Sequence, residues 1–138
     1  MENRNQEILT RCGFRCDMCP AYVENIGNLA DPEAVRLGWK KYFGFDIPAD
    51  QVVCDGCLNE GKHADKDCPV RPCAIVKKVA TCAQCADYGC EKLKSRMDLA
   101  ESVIPKFKDI PAQDYNLFFR PYLSRDRLEK LRQDGRNP

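Results

Sequence analysis

The residues of this chain best equipped for chemistry are its ten cysteines, at positions 12, 16, 19, 54, 57, 68, 73, 82, 85 and 90 of 138. Deprotonated, each is a soft metal ligand. Two cysteines separated by two residues reach one Zn²⁺ ion across a tight turn, and Zn²⁺ favours four such ligands in a tetrahedron. "CDGC" (Cys54 and Cys57) and "CAQC" (Cys82 and Cys85) each supply that half-site. Gly56 suits a turn that needs positive φ. Placed ahead of a helix, Cys82 and Cys85 would also gain from the positive end of its dipole, which favours the thiolate.

The spacing leaves the grouping open. Cys54, Cys57, Cys82 and Cys85 make one closed site, although 24 residues separate the two pairs, where a zinc ribbon has about 15–20. Cys54, Cys57, Cys68 and Cys73 make a local alternative, leaving Cys12, Cys16, Cys19, Cys82, Cys85 and Cys90 for another site. Ten thiols fill two four-ligand sites with two to spare. A spare cysteine packs as a small hydrophobe, and that reading competes most strongly for Cys12 and Cys90. His63, the only histidine, lies between Cys57 and Cys68 and could stand in for a thiolate, against the plainer reading of an exposed loop side chain. Iron–sulfur clusters use the same ligands. Cys19-Pro20 matches the end of a ferredoxin-type run, but the wider CxxxCxxC precedes it. Zinc is therefore the expected cofactor and an iron–sulfur cluster the alternative.

CxxxCxxC over Cys12, Cys16 and Cys19 is also the spacing that holds three corners of a cluster cleaving S-adenosylmethionine. That chemistry needs a partial or full barrel of alternating strands and helices, and a full one takes roughly 200 residues or more. No repeated βα units follow residue 20, and Met18 stands before the third cysteine, where an aromatic is common. A radical enzyme is not expected. GxSxG, P-loop, HExxH and GxGxxG motifs are absent, and one histidine leaves few options for a Cys–His nucleophile pair. No residue is assigned a catalytic role.

Twenty-two basic and 21 acidic residues leave a net charge of +1, so no global field draws the chain to nucleic acid or an acidic membrane. Residues 120–138 hold six basic and three acidic side chains, read as a solvated helix face. The start, "MENRNQEILTR", is polar, and no stretch approaches the roughly 18 apolar residues of a membrane helix. A cytoplasmic location is expected, where reducing conditions keep thiols free for metal.

The elements that must position the thiols read as mainly α-helical, with few or short strands, in a single small domain over 1–138. Its cysteine-bearing part runs over 11–93 and its helical C-terminal part over 98–138. "DPEAVRLGWKKYFG" offers Asp31 as N-cap, Pro32 in the first turn, Gly44 as a stop, and Val35, Trp39, Tyr42 and Phe43 on one face. From Cys54 to Lys66 the pattern is a loop shaped by ligation rather than packing. "PCAIVKKVA" predicts a short helix from Pro72, and "CAQCADYGCEKLKSRMDLA" passes from loop into helix. Leu99, Val103, Ile104, Phe107 and Ile110 recur at helical intervals, cut by Pro105 and Pro111. Beyond them Leu117, Phe118, Tyr122, Leu128 and Leu131 are apolar contacts, and Arg125–Glu129 and Asp126–Lys130 stand four apart as helix pairs.

The ordered series "CGFRCDMCPAY", "CDGCLNEG", "CPVRPCA", "CAQCADYGCEKL" and "FFRPYLSRDRLEKL" resembles the bacterial and archaeal family labelled domain of unknown function 3795. The resemblance spans about residues 11–131. It implies a small cysteine-rich, zinc-binding protein whose role is unassigned, with all ten cysteines at the family's positions. Many relatives carry another cysteine three before the one matching Cys68, where this chain has Asp65. A site that uses that ligand needs His63 or another cysteine in its place.

The expected function is that of a binding or regulatory module with one or two structural zinc sites, acting on a protein partner rather than as an enzyme. An electron-transfer iron–sulfur protein is the alternative, and nucleic-acid binding through the basic C-terminal segment ranks last.

Overall fold

The computed structural model describes residues 7–136. The polar start reads onto residues partly outside that range, as do the last two residues of the basic segment. The described chain is mainly helical: α1 (Pro32–Phe43), α2 (Ala49–Val52), α3 (Val70–Lys77), α4 (Glu91–Val103), α5 (Ala112–Phe118) and α6 (Arg125–Arg136). Among the described residues, extended pairing is confined to three single bridges.

Helix α1 starts and stops on its own sequence signals. The Asp31 carboxylate accepts from the Ala34 N–H at 2.8 Å, and Gly44 ends the helix in the left-handed conformation with φ 77°. Val35, Trp39 and Tyr42 are buried along one face, joined by Val103 of α4 and by Phe118, Phe119 and Tyr122. Tyr42 meets the rings of Phe107 and Phe119 edge-on at 5.0 and 4.9 Å, and its hydroxyl donates to Asp114 at 2.5 Å. Burial, reinforced by that carboxylate, pushes the Tyr42 hydroxyl up to about 12. Gly38 is required here, because a Cβ would overlap the Phe118 ring.

A second core gathers Cys12, Val70 of α3, Ala83, Leu93 and Met97 of α4, and Leu128 of α6. Helix α4 joins the two cores with one stripe. Leu93 and Met97 face the second, Ala100 and Val103 the first.

Three local readings change. Helix α3 begins at Val70 rather than Pro72; proline is tolerated in a first turn, where its missing N–H has no intrahelical partner to lose. Arg125 reaches across to Asp98 at 2.5 Å and Glu101 at 3.2 Å on α4 instead of pairing with Glu129, whose carboxylate accepts from the Tyr88 hydroxyl at 2.7 Å. Leu128 is buried, whereas Leu131 lies exposed.

Candidate metal centre

The CxxxCxxC loop folds back onto the CDGC loop. The Cys54 N–H donates to the Ala21 carbonyl at 2.8 Å and the Val23 N–H to the Cys54 carbonyl at 2.7 Å, a parallel bridge centred on Tyr22 and Cys54. This stitching sets Cys16 and Cys19 beside Cys54 and Cys57, and all four line one cleft of about 550 Å³.

Donors already point at these sulfurs. The Cys57 N–H donates to Cys16 Sγ at 3.3 Å, and the Gly56 N–H to Cys54 Sγ at 3.4 Å. Gly56 achieves this at φ 103°, which a Cβ would strain. The Tyr122 hydroxyl lies 3.0 Å from Cys19 Sγ, with the Trp39 side chain beside it. A Cys19 thiolate can only accept, which would make Tyr122 the donor.

Charge in this group gathers on Cys57. A hydrogen bond from the Cys16 thiol holds Cys57 down at about 6 against the opposing effect of burial, and Arg71 beside it adds to the lowering. The same bond, with burial, raises Cys16. Burial pushes Cys19 up to about 12 despite the Tyr122 hydroxyl, and burial also raises Cys54.

The other cysteines gather elsewhere. Cys82 is pushed up to about 11 by burial and by the charges of Cys85, Cys90, Cys73 and Cys68. Cys85 Sγ accepts from the Asp87 N–H and from Lys77 Nζ, both at 3.4 Å. Thus Cys54 and Cys57 stand with Cys16 and Cys19 along the cleft, whereas Cys82 and Cys90 pack with Cys68 against the second core. Cys90, not Cys82 or Cys85, occupies the N-cap of α4; Cys82 lies in the 3₁₀ turn Cys82–Gln84. Cys12 is 4 % exposed and packs within the second core, with burial pushing it up to about 12.

Among the described residues, no three Cys, His, Asp or Glu side chains are drawn together around a single point. The donor chemistry nevertheless fits a metal. Free thiols are weak acceptors, yet each group holds a backbone N–H aimed at the sulfur two residues earlier, Gly56 at Cys54 and Asp87 at Cys85. Each also holds a cation, Arg71 beside Cys57 and Lys77 beside Cys85. These are the partners a metal-bound thiolate uses.

His63 Nε2 lies 3.0 Å from the Gly56 carbonyl and 2.8 Å from the Asn59 carbonyl, so it carries a proton and braces the loop. Asp65 is held by both arms of Arg96 at 2.9 and 3.1 Å. Asp65, expected as the place of a missing ligand, is here half of an ion pair.

A family model described as a protein of unknown function, DUF3795, matches residues 8–95. The chain belongs to that family. The DUF3795 segment contains all ten cysteines and ends within α4, leaving α5 and α6 beyond it. No curated protein and no solved structure matches the chain. Tyr122, the partner of Cys19, therefore comes from outside the matched segment. It and Trp39 read as core in the sequence; the signal for more was their polar tips, which seek a partner when buried. Arg71 and Lys77 carry no signal in the cysteine spacing.

Proposed function

We propose that this protein binds zinc through its two thiol groups and serves as a binding or regulatory module in the reducing cytoplasm. Cys16, Cys19, Cys54 and Cys57 would hold one ion; Cys68, Cys73, Cys82, Cys85 and Cys90 would supply the ligands of a second. One observation carries the reading: the same N–H···S bond, donated from two residues downstream, recurs at Cys54 and at Cys85, once in each group.

Zn²⁺ would act here as a structural ion, drawing four deprotonated sulfurs into one closed site and leaving no open position for chemistry. Its binding energy would hold the long loop from Cys54 to Cys68, which has little apolar packing of its own. The chain's residues do the rest: backbone donors and the Tyr122 hydroxyl orient the sulfurs, and Arg71 and Lys77 offset their charge. With the thiols so committed and His63 braced on carbonyls, the role left is recognition rather than catalysis.

The test is metal analysis and an absorption spectrum of protein prepared without oxygen, followed by far-UV circular dichroism after a strong chelator. Colourless protein containing zinc that loses helical signal on chelation is expected. Brown protein that bleaches on reduction would replace zinc by an iron–sulfur cluster, and full helical content after metal removal would contradict the structural role.

A further inference from the structure

We propose that the cleft beside the first thiol group binds a small organic anion with a flat apolar body, its acidic group held by Arg71. This site rests on the cleft walls and on Arg71, which also stands beside Cys57 of the proposed metal centre, and its test reads the anion rather than the metal.

The cleft, at about 550 Å³, has the size of a small-molecule site. Trp39 and Tyr22 line it together with Phe43 and Phe45, whose rings stack 5.5 Å apart at 16°. Phe45 is 39 % exposed at the cleft, a flat apolar surface that is not buried by the protein's own core. Flat walls of this kind favour a planar ring.

Three guanidinium groups line the cleft, and two are spent. Arg15 grips the Asp17 carboxylate with both arms at 2.7 and 2.6 Å, and Arg96 does the same to Asp65. Arg71 differs. It gives one N–H to the Asp65 carbonyl at 3.3 Å, while its Nε is buried with no hydrogen-bond partner. A buried donor without an acceptor is destabilising, and the fork of a guanidinium matches a carboxylate or sulfonate. Cys57 borders the same side chain, and five N–H donors suffice for both.

Trp39 is the only tryptophan and lines the cleft, so it reports binding directly. The protein, with whatever metal it carries when prepared without oxygen, is titrated with 8-anilinonaphthalene-1-sulfonate and with the uncharged N-phenyl-1-naphthylamine, following energy transfer from Trp39. Saturable one-to-one binding of the sulfonate is expected, tighter than that of the neutral probe. Arg71→Gln should weaken the sulfonate by about tenfold and leave the neutral probe almost unchanged, the effect of losing one charge-assisted contact. Arg71→Lys, which keeps the charge and loses the fork, should fall between and serves if Arg71→Gln disturbs the near-UV dichroism. Absence of saturable binding, equal affinity for the two probes, or an equal loss of both in Arg71→Gln would overturn the proposal. Metal content measured on the same samples separates the two readings. Metal-free protein with Arg71-dependent sulfonate binding sinks only the zinc reading, and zinc-loaded protein without it sinks only this one.

Discussion

Replacing Tyr122 by phenylalanine removes one hydroxyl from a side chain that is 7 % exposed and changes little volume. That hydroxyl stands 3.0 Å from Cys19 Sγ. A hydrogen bond to a neutral partner contributes about 0.5–1.5 kcal/mol, and one to a charged partner about 1.5–3 kcal/mol. The metal-bound thiolate therefore loses roughly 1–1.5 kcal/mol more than the metal-free thiol does, which is a fall in metal affinity of about five- to tenfold. The loss belongs to the first thiol group, whose Cys19 is the sulfur that the Tyr122 hydroxyl reaches. A separate cost falls on both states, since even the bond between the Tyr122 hydroxyl and a neutral Cys19 thiol contributes about 0.5–1.5 kcal/mol. Competition titration with a chromogenic chelator measures the first effect, and denaturant unfolding of metal-free protein the second. Equal weakening of both metals, or unchanged affinity with stability alone reduced, would refute a role for Tyr122 in holding the first ion.

Gly38→Ala normally gains about 1 kcal/mol in a helix, but here the new methyl meets the Phe118 ring, so a loss of about 1–3 kcal/mol is expected. A raised melting temperature would contradict that packing. Asp17 is held below the usual carboxylate range: burial alone would raise it, but Arg15 and the Ile8 N–H outweigh burial. A depressed acid stabilises the fold fully above its unfolded value of about 3.9 and loses that contribution as pH falls through the folded value. Asp17→Asn should accordingly flatten the acid limb of stability in urea unfolding; an unchanged slope would place the acid sensitivity elsewhere. Lys77→Met removes the cation beside Cys85 and should weaken the second metal while sparing the first, checked by the same chelator titration.

Where a signal is local, the sequence was sufficient. Asp31, Pro32 and Gly44 bound α1, and its buried stripe of Val35, Trp39 and Tyr42 follows from helical spacing. The loop over Cys54 to Lys66 was equally legible from its lack of apolar periodicity. The grouping of the thiols was not, because it depends on a bridge between Tyr22 and Cys54 that neither segment announces alone. Spacing favours partners near in sequence, whereas this bridge joins Cys16 and Cys19 to a loop more than 30 residues later. Arg125 shows the same limit: its helix offered Glu129, but α4 presents two carboxylates across the interface. Asp65 reads as a missing ligand in the sequence and as the partner of Arg96 in the fold.

Metal content of combined cysteine variants, prepared without oxygen, tests the division of the thiols most directly. Cys16→Ser with Cys57→Ser removes ligands from the first group only and should cost one metal, leaving the other bound. Cys54→Ser with Cys82→Ser and Cys85→Ser leaves three thiols in each group and should cost both metals. Loss of a single metal in the second variant, together with loss of both in the first, would contradict the account.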